Sequence, residues 1–392
     1  MSNVVIAGAV RTAIGKFGGT LSGTPVAELG SVVIGEAIHR SGIKPTDVDE
    51  VLMGCVLQSG QGQNVARQAA IKAGLPVEIP AQTLNIVCGS GLQTVNLAAA
   101  MIAAGQADVV VAGGMENMSA APYALDKARF GYRMNDGTLR DLMIYDSLWE
   151  AFHNYHMGIT AENVAKKYEI SRQEQDEFAA LSQQRAEAAW NAGKFEKEIV
   201  SVMVKEKKQT ISFERDEYPR SQVTAESLAK LKPAFLSDGS VTAANASGIN
   251  DGAAAVVMLS AEKAKELGIT PMARWIGSAV TGVEPEVMGI GPAASTKTLL
   301  KRLGMRIDDI DLIEANEAFA SQCLAVGKLL DWNPELVNVN GGAIALGHPV
   351  GASGCRILVT LLYEMQRRSL HRGLATLCVG GGMGVSTIVE SV

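Results

Sequence analysis

The chain has 392 residues, 47% hydrophobic and 19% charged, with 41 glycines and a formal net charge of −6. That balance describes a globular protein with a large core. It gives no reason for nucleic-acid binding or attachment to an anionic membrane, and no apolar run reaches spanning length. Five widely spaced cysteines (55, 88, 323, 355 and 378) without a CxxC pair suggest neither a disulfide framework nor a metal site, and fit a reduced, cytoplasmic setting.

The first predicted element is a strand over Asn3 to Val10, with no basic or Arg/Ser-rich leader before it. A Gly-rich loop, Arg11 to Thr24, precedes a helix over Val26 to His39 that Gly42 closes. Asp47 to Gly54 leads into a second strand, and Gln63 to Ala73 is a helix ended by Gly74. Ala81 to Val87 reads as a short buried strand, and Leu92 to Ala104 as an Ala-rich helix ended by Gly105. Cys88 stands between them, at a helix N-terminus whose free N–H groups and dipole are expected to favour thiolate. Gly89 and Gly91 let the backbone turn and a substrate approach. On these residues alone a buried structural cysteine explains Cys88 equally well. The strand Ala107 to Gly114 completes an alternation that calls for an α/β fold with a sheet covered on both faces.

Residues 121–250 differ in composition, with charge runs at Lys166-Lys167, Glu196-Lys197-Glu198, Lys205-Glu206-Lys207-Lys208 and Glu214-Arg215-Asp216-Glu217. Ser171 to Ala192 reads as a long amphipathic helix, with a capping box from Ser171 to Glu174 and charges on a solvated face. The segment has the character of a lid or inserted loop domain, where ligand contacts often lie. Alternating elements then return. A strand starts near Asn250, a helix covers Ala293 to Leu303, and Gly351 to Arg368 is a helix with its core stripe at Ile357, Leu358, Leu361, Leu362 and Met365. A last strand, Leu374 to Val379, contains Cys378 and runs into Gly380-Gly381-Gly382.

Three short matches recur in one order at nearly one offset, roughly 265 residues. Asp47-Val48-Asp49-Glu50-Val51 resembles Asp309-Ile310-Asp311-Leu312-Ile313, Cys88-Gly89-Ser90-Gly91 resembles Gly351-Ala352-Ser353-Gly354, and Val111-Ala112-Gly113-Gly114 resembles Val379-Gly380-Gly381-Gly382. The chain is read as two copies of one α/β unit, 1–120 and 251–392, with 121–250 inserted. Packed about a pseudo-twofold, the copies bring Cys88, His348 and Cys378 into one cleft. A thiol nucleophile, an imidazole base and a second thiol suit acyl transfer, with N–H groups at Cys88 and Gly380 as an oxyanion hole.

The motifs Val87-Cys88-Gly89-Ser90-Gly91-Leu92, Gly113-Gly114-Met115-Glu116-Asn117-Met118-Ser119, Tyr155-His156-Met157-Gly158, Asn316-Glu317-Ala318-Phe319-Ala320, Gly347-His348-Pro349 and Cys378-Val379-Gly380-Gly381-Gly382 follow the order of the thiolase family. The sequence resembles thiolases throughout, and most closely the biosynthetic acetoacetyl-CoA thiolases. The resemblance implies a layered αβαβα fold and a reversible Claisen condensation of two acetyl-CoA to acetoacetyl-CoA and CoA. Cys88 would carry the acetyl group with help from His348, and Cys378 would remove a proton from the second acetyl-CoA. Asn316, through a water, and His348 would hold the enolate oxygen, and the N–H groups of Cys88 and Gly380 the other oxyanion. By matched position it implies substrate contacts at Leu148, His156, Met157, Arg220, Ser227 and Phe235, and at Ala243, Ser247, Ile249, Met288 and Phe319. It implies no metal or redox cofactor beyond the coenzyme A thioesters, a homotetramer joined through residues 121–140, and a cytoplasmic enzyme. The sequence departs from the family pattern at Ala244, usually glycine, which would be strained if that position needed a positive φ. A β-ketoacyl synthase is disfavoured by Cys378, and a thiolase for longer acyl chains by His156-Met157. A complete Cys-His-Cys set argues against a non-catalytic lipid carrier, while a redox disulfide between Cys88 and Cys378 is compatible with catalysis.

Overall fold

Strand β1 (Val4–Thr12) is apolar on both sides, with Val5, Ala7 and Val10 in one core and Val4, Ile6 and Ala9 in another. A strand of that pattern belongs in the middle of a sheet with helices on each face. The computed structural model describes residues 3–206 and 209–392, so Lys207 and Lys208 of the basic run lie outside the described residues. After β1 come α1 (Val26–Ser41), β2 (Glu50–Gly54), α2 (Val65–Lys72), β3 (Ala81–Leu84), α3 (Ser90–Ala103) and β4 (Val109–Asn117). The inserted segment holds α4 (Met157–Lys167) and α5 (Arg172–Asn191). The chain continues through β5 (Asn250–Ser260), β6 (Ala273–Gly282), α6 (Gly291–Leu303), β7 (Leu312–Ala315), α7 (Ala320–Leu330), α8 (Ser353–Arg368), β8 (Arg372–Val379) and β9 (Met383–Glu390).

The strands form one mixed sheet in the order β7-β8-β9-β6-β1-β5-β4-β2-β3, with two short strands, Gly15–Lys16 and Ile199–Val200, off that path. The order mirrors itself about the β6/β1 seam. On one side β7 and β8 are parallel and β9 is antiparallel to both β8 and β6. On the other, β2 and β4 are parallel and β5 is antiparallel to both β4 and β1. Even β3 has a trace of a counterpart, in the parallel bridge from Ile313 to Val337. The seam itself is narrow, pairing Val5 with Arg274 and Ile6 with Ala273. The strand that opens the third segment in the sequence reading, β5, therefore lies inside the sheet of the N-terminal half.

Three hydrophobic cores separate the layers. Helix α1 packs on one face of β1, β5 and β4, α2 lies beside it on β2 and β3, and α6 packs on the outer face of β6 and β9. Between the halves lie α3 and α8, packed on each other and on strands of both. This position explains why α8 is buried all the way round from Ser353 to Leu362 rather than along a stripe. Left-handed glycines end α1 (Gly42, φ 80°) and α6 (Gly304, φ 67°), as expected for C-terminal caps.

The insertion is tied to the core by charge. Arg11 on β1 is fully buried, and its guanidinium donates to Glu198 Oε1 (2.6 Å) and to Asp216 Oδ1 (2.8 Å) and Oδ2 (3.1 Å). These two acids belong to the charge runs, so the runs are not solvated throughout. The capping box of α5 forms, with Ser171 Oγ accepting from Glu174 N–H (3.2 Å) and Glu174 Oε2 from Ser171 N–H (2.6 Å). Among the described residues, no helix is long and apolar enough to cross a membrane.

Candidate active site

Beyond β3 the chain turns sharply. Val87 sits at φ 52°, a conformation that β-branched residues rarely adopt. Its N–H donates to Asn85 Oδ1 (2.9 Å), while Ser90 Oγ donates to Val87 O (2.6 Å) and accepts from Ile86 N–H (3.0 Å). The turn sets Cys88 just ahead of α3, with its own N–H and that of Gly380 directed at the sulfur. Those donors favour thiolate, but burial outweighs them and pushes the thiol up from 9.0 to about 11. The thiolate expected from the helix N-terminus is therefore not the resting form, because desolvation is the larger effect.

His348 comes from the segment between α7 and α8 and is 5% exposed. Its backbone N–H donates to Asn250 Oδ1 (2.9 Å). Ser353 Oγ donates to Pro349 O (2.9 Å), so it receives the ring proton of His348 Nδ1 (2.6 Å). That leaves Nε2 as an acceptor, faced by Asn316 Nδ2 at 3.4 Å. Burial, reinforced by the Arg356 cation, pushes the imidazole down from 6.5 to about 3. At neutral pH Cys88 rests as a thiol and His348 as a neutral imidazole.

Cys378 stands one residue before the end of β8 with no exposed surface, in a cluster with Met157, Met288 and Phe319. Burial, and then the neighbouring Cys88, raise its thiol well above the ordinary value. Asn316 is also fully buried, and its Oδ1 has no protein hydrogen-bond partner.

A cavity of about 570 Å³ is lined by Cys88, His348 and Gly380. Leu148, Met157, Met288 and Phe319 give it apolar walls, and Ala243, Ser247, Ile249 and Arg220 also line it. His156 and Phe235 line it as a stacked pair with centroids 4.7 Å apart. His156 Nδ1 accepts from Gly158 N–H (3.0 Å), and burial lowers its pKa. An adjoining cavity of about 240 Å³ shares Tyr218, Arg220 and Ala243, and Ser227 lines only that one. Cys378 and Asn316 line neither; both are buried behind the walls. Ala244 is not among the residues with positive φ, so a side chain there brings no left-handed strain.

Sequence reasoning gave no site role to Lys16, Phe17, Met118, Ser147, Tyr218 or Val350, which also line the larger cavity. The glycines of the 11–24 loop were the available signal for Lys16 and Phe17. Lys16 reaches the site because it pairs with Asn250, whose side chain holds the His348 backbone. All five cysteines are free thiols, and no group of His, Cys, Asp or Glu among the described residues is placed to hold a metal ion. A thiol under two amide donors, a neutral imidazole and a second buried thiol, beside a long apolar cleft, can perform acyl transfer through a covalent thioester.

Residues 4–262 match the family model "Thiolase, N-terminal domain" and residues 269–391 match "Thiolase, C-terminal domain". The chain is 59% identical over 391 residues to an acetyl-CoA acetyltransferase of Cupriavidus necator, covering 100% of each chain. It is 58% identical to one of Syntrophomonas wolfei, covering 99% of each. The crystal structure of the Bacillus anthracis acetyl-CoA acetyltransferase matches with a TM-score of 0.98 at 48% identity, covering 100% of this chain and 99% of that one. The β6/β1 seam falls at the join between the two family models, and the protein belongs to the thiolase family.

Proposed function

We propose that the protein is an acetyl-CoA C-acetyltransferase, condensing two acetyl-CoA reversibly to acetoacetyl-CoA and CoA through an acetyl-Cys88 thioester. The observation that carries this reading is the Cys88 sulfur under the N–H groups of Cys88 and Gly380, in a cavity that His348 also lines. Cys88 attacks the first thioester as its proton passes to His348 Nε2, and the oxyanion settles on the two N–H groups. The departing CoA sulfur takes the Cys378 proton. The Cys378 thiolate then removes a proton from the methyl of the second acetyl-CoA, whose enolate oxygen meets the imidazolium and a water held by the Asn316 side chain. Attack of that carbanion on acetyl-Cys88 forms acetoacetyl-CoA, and the released Cys88 sulfur recovers its proton from His348. The methyl proton taken by the Cys378 thiolate restores that thiol, so every group returns to its starting state.

His156, Met157, Met288 and Phe319 narrow the acyl end to short chains, with Leu148 and Phe235 as further walls. Ala243, Ser247 and Ile249 follow the pantetheine, and Arg220 and Ser227 meet the nucleotide. The inserted segment 121–250 serves as a substrate-binding layer over the two halves, and no cofactor beyond the coenzyme A thioesters takes part. A cytoplasmic homotetramer joined through residues 121–140 completes the reading. It is supported by the exposed apolar side chains Tyr123, Leu125, Phe130, Met134 and Leu139.

Peptide mass spectrometry after mixing with acetyl-CoA alone tests the proposal. One acetyl group on the Cys88 peptide, released by free CoA and absent from Cys88→Ala, is the expected result. Absence of acylation by any CoA thioester overturns it, and a label only from longer acyl-CoA replaces the substrate.

A further inference from the structure

Glu116 stands at the end of β4, a fully buried carboxylate that the chemistry above does not use. Four donors converge on it. The N–H groups of Val56 (3.0 Å) and Leu57 (3.0 Å) and the Cys55 thiol (3.7 Å) come from the loop after β2, in the N-terminal half. The fourth is the N–H of Gly351 (2.8 Å), from the turn after His348-Pro349 in the C-terminal half. The carboxylate thus bridges the half that carries Cys88 and the half that carries His348.

The packing around that turn leaves no slack. A Cβ on Gly54, Gly91 or Gly114 would lie 2.8, 2.8 or 2.0 Å from Gly351 O, so the N-terminal half receives this carbonyl in a nest of bare backbone. A Cβ on Gly351 itself would meet Glu116 Oε2 at 2.7 Å and Cys55 Cα at 2.9 Å. Gly351 N–H and C=O are therefore both held by the opposite half, three residues after the base. Gly91, which grips the carbonyl, is three residues after the nucleophile. The bond to Ser353 fixes the tilt of the imidazole within its own loop, and Asn250 on β5 ties the His348 backbone to the sheet of the N-terminal half. The tie through Glu116 adds a second anchor three residues further on, so that the loop can neither slide nor pivot about the first.

We propose that Glu116 is a positioning residue for acyl transfer, clamping the 349–351 turn to the N-terminal half and so setting the gap between Cys88 Sγ and His348 Nε2. The inference rests on the assignment of Cys88 and His348 as nucleophile and base. Glu116→Gln keeps the size but turns one acceptor oxygen into an amide facing an N–H donor, and Gly351→Ala displaces the same turn with the carboxylate intact. Both are expected to lower kcat for acetoacetyl-CoA cleavage by about 100-fold, as a displacement of about 1 Å does. KM should stay within threefold, since neither residue lines the cavity.

Alkylation of Cys88 by iodoacetamide at pH 7, without any thioester, is expected to slow at least tenfold in both variants, because the imidazole no longer takes the thiol proton. Alkylation within twofold of the unaltered protein in a folded variant overturns the proposal, as does a rise in KM with kcat preserved. If Glu116→Gln does not fold, Gly351→Ala decides by the same two readouts. Slowed alkylation in a protein that no acyl-CoA acylates would sink the acetyltransferase reading and leave the clamp standing.

Discussion

Cys88 is governed by two opposed effects. Two amide donors favour its thiolate, and removal from water disfavours it more, leaving the thiol at about 11. Below that value the reactive fraction grows with pH. The rate of Cys88 alkylation by iodoacetamide should accordingly rise about tenfold per pH unit between roughly 7 and 9 if free thiolate alone reacts. Assistance by His348 would flatten the lower part of that curve, and Glu116→Gln should restore its full slope. A plateau below about pH 8 in both proteins would show that thiolate is already the resting form. Its place between a strand and a helix start left Cys88 as good a structural cysteine as a reactive one; the repeat and the run of family motifs singled it out. Its protonation was not legible, since Cys88 packs against Val56, Leu57, Met118 and Val350, which no sequence window places together. Cys378 was legible from the repeat and the motifs, and Asn316 only as a motif member; that they stand behind the cavity wall is a property of the packing.

Helix ends show the same division at the next scale. The Ser171–Glu174 capping box and the closing glycines of α1 and α6 are local signals, and each forms where its sequence asks for it. Ser171→Ala should destabilise the protein by about 1 kcal/mol, seen as a lowered melting temperature with KM unchanged, since α5 does not line the larger cavity. An unchanged melting temperature would mean that α5 is held by its packing alone. Two elements escaped such local reading. Helix α8 has the spacing of a surface helix yet is wrapped on all sides, because its second face meets α3 of the other half. Strand β5 follows the insertion in sequence but inserts between β1 and β4, since both of its apolar faces need a cover that only a central position provides.

Over the whole molecule, the repeat in the sequence announced two like halves, and the mirrored strand order is its counterpart in space. What the repeat did not announce is the means of attachment between insertion and core. Arg11 joins β1 to Glu198 and Asp216 of the insertion with all three side chains almost wholly buried. Arg11→Met would strand two carboxylates away from water, at a cost of about 3–5 kcal/mol. Urea unfolding should shift to lower concentration by a matching amount, and limited proteolysis should open the insertion before the core. Equal sensitivity of both regions would show that the insertion has other anchors of comparable strength.

The mirrored halves are not chemically equivalent, and Gly351 shows why. By the repeat it is the mate of Cys88, the place where a second nucleophile would stand if both copies had kept one. Its carbonyl is instead pressed into bare backbone on Gly54, Gly91 and Gly114, and any side chain there would strike Glu116 and Cys55. The space that a second reactive centre would occupy has been consumed in docking the two copies together. On the proposed mechanism a duplicated scaffold carries a single, unsymmetric reaction site, and acyl loading is expected to be capped at one per polypeptide however many chains assemble.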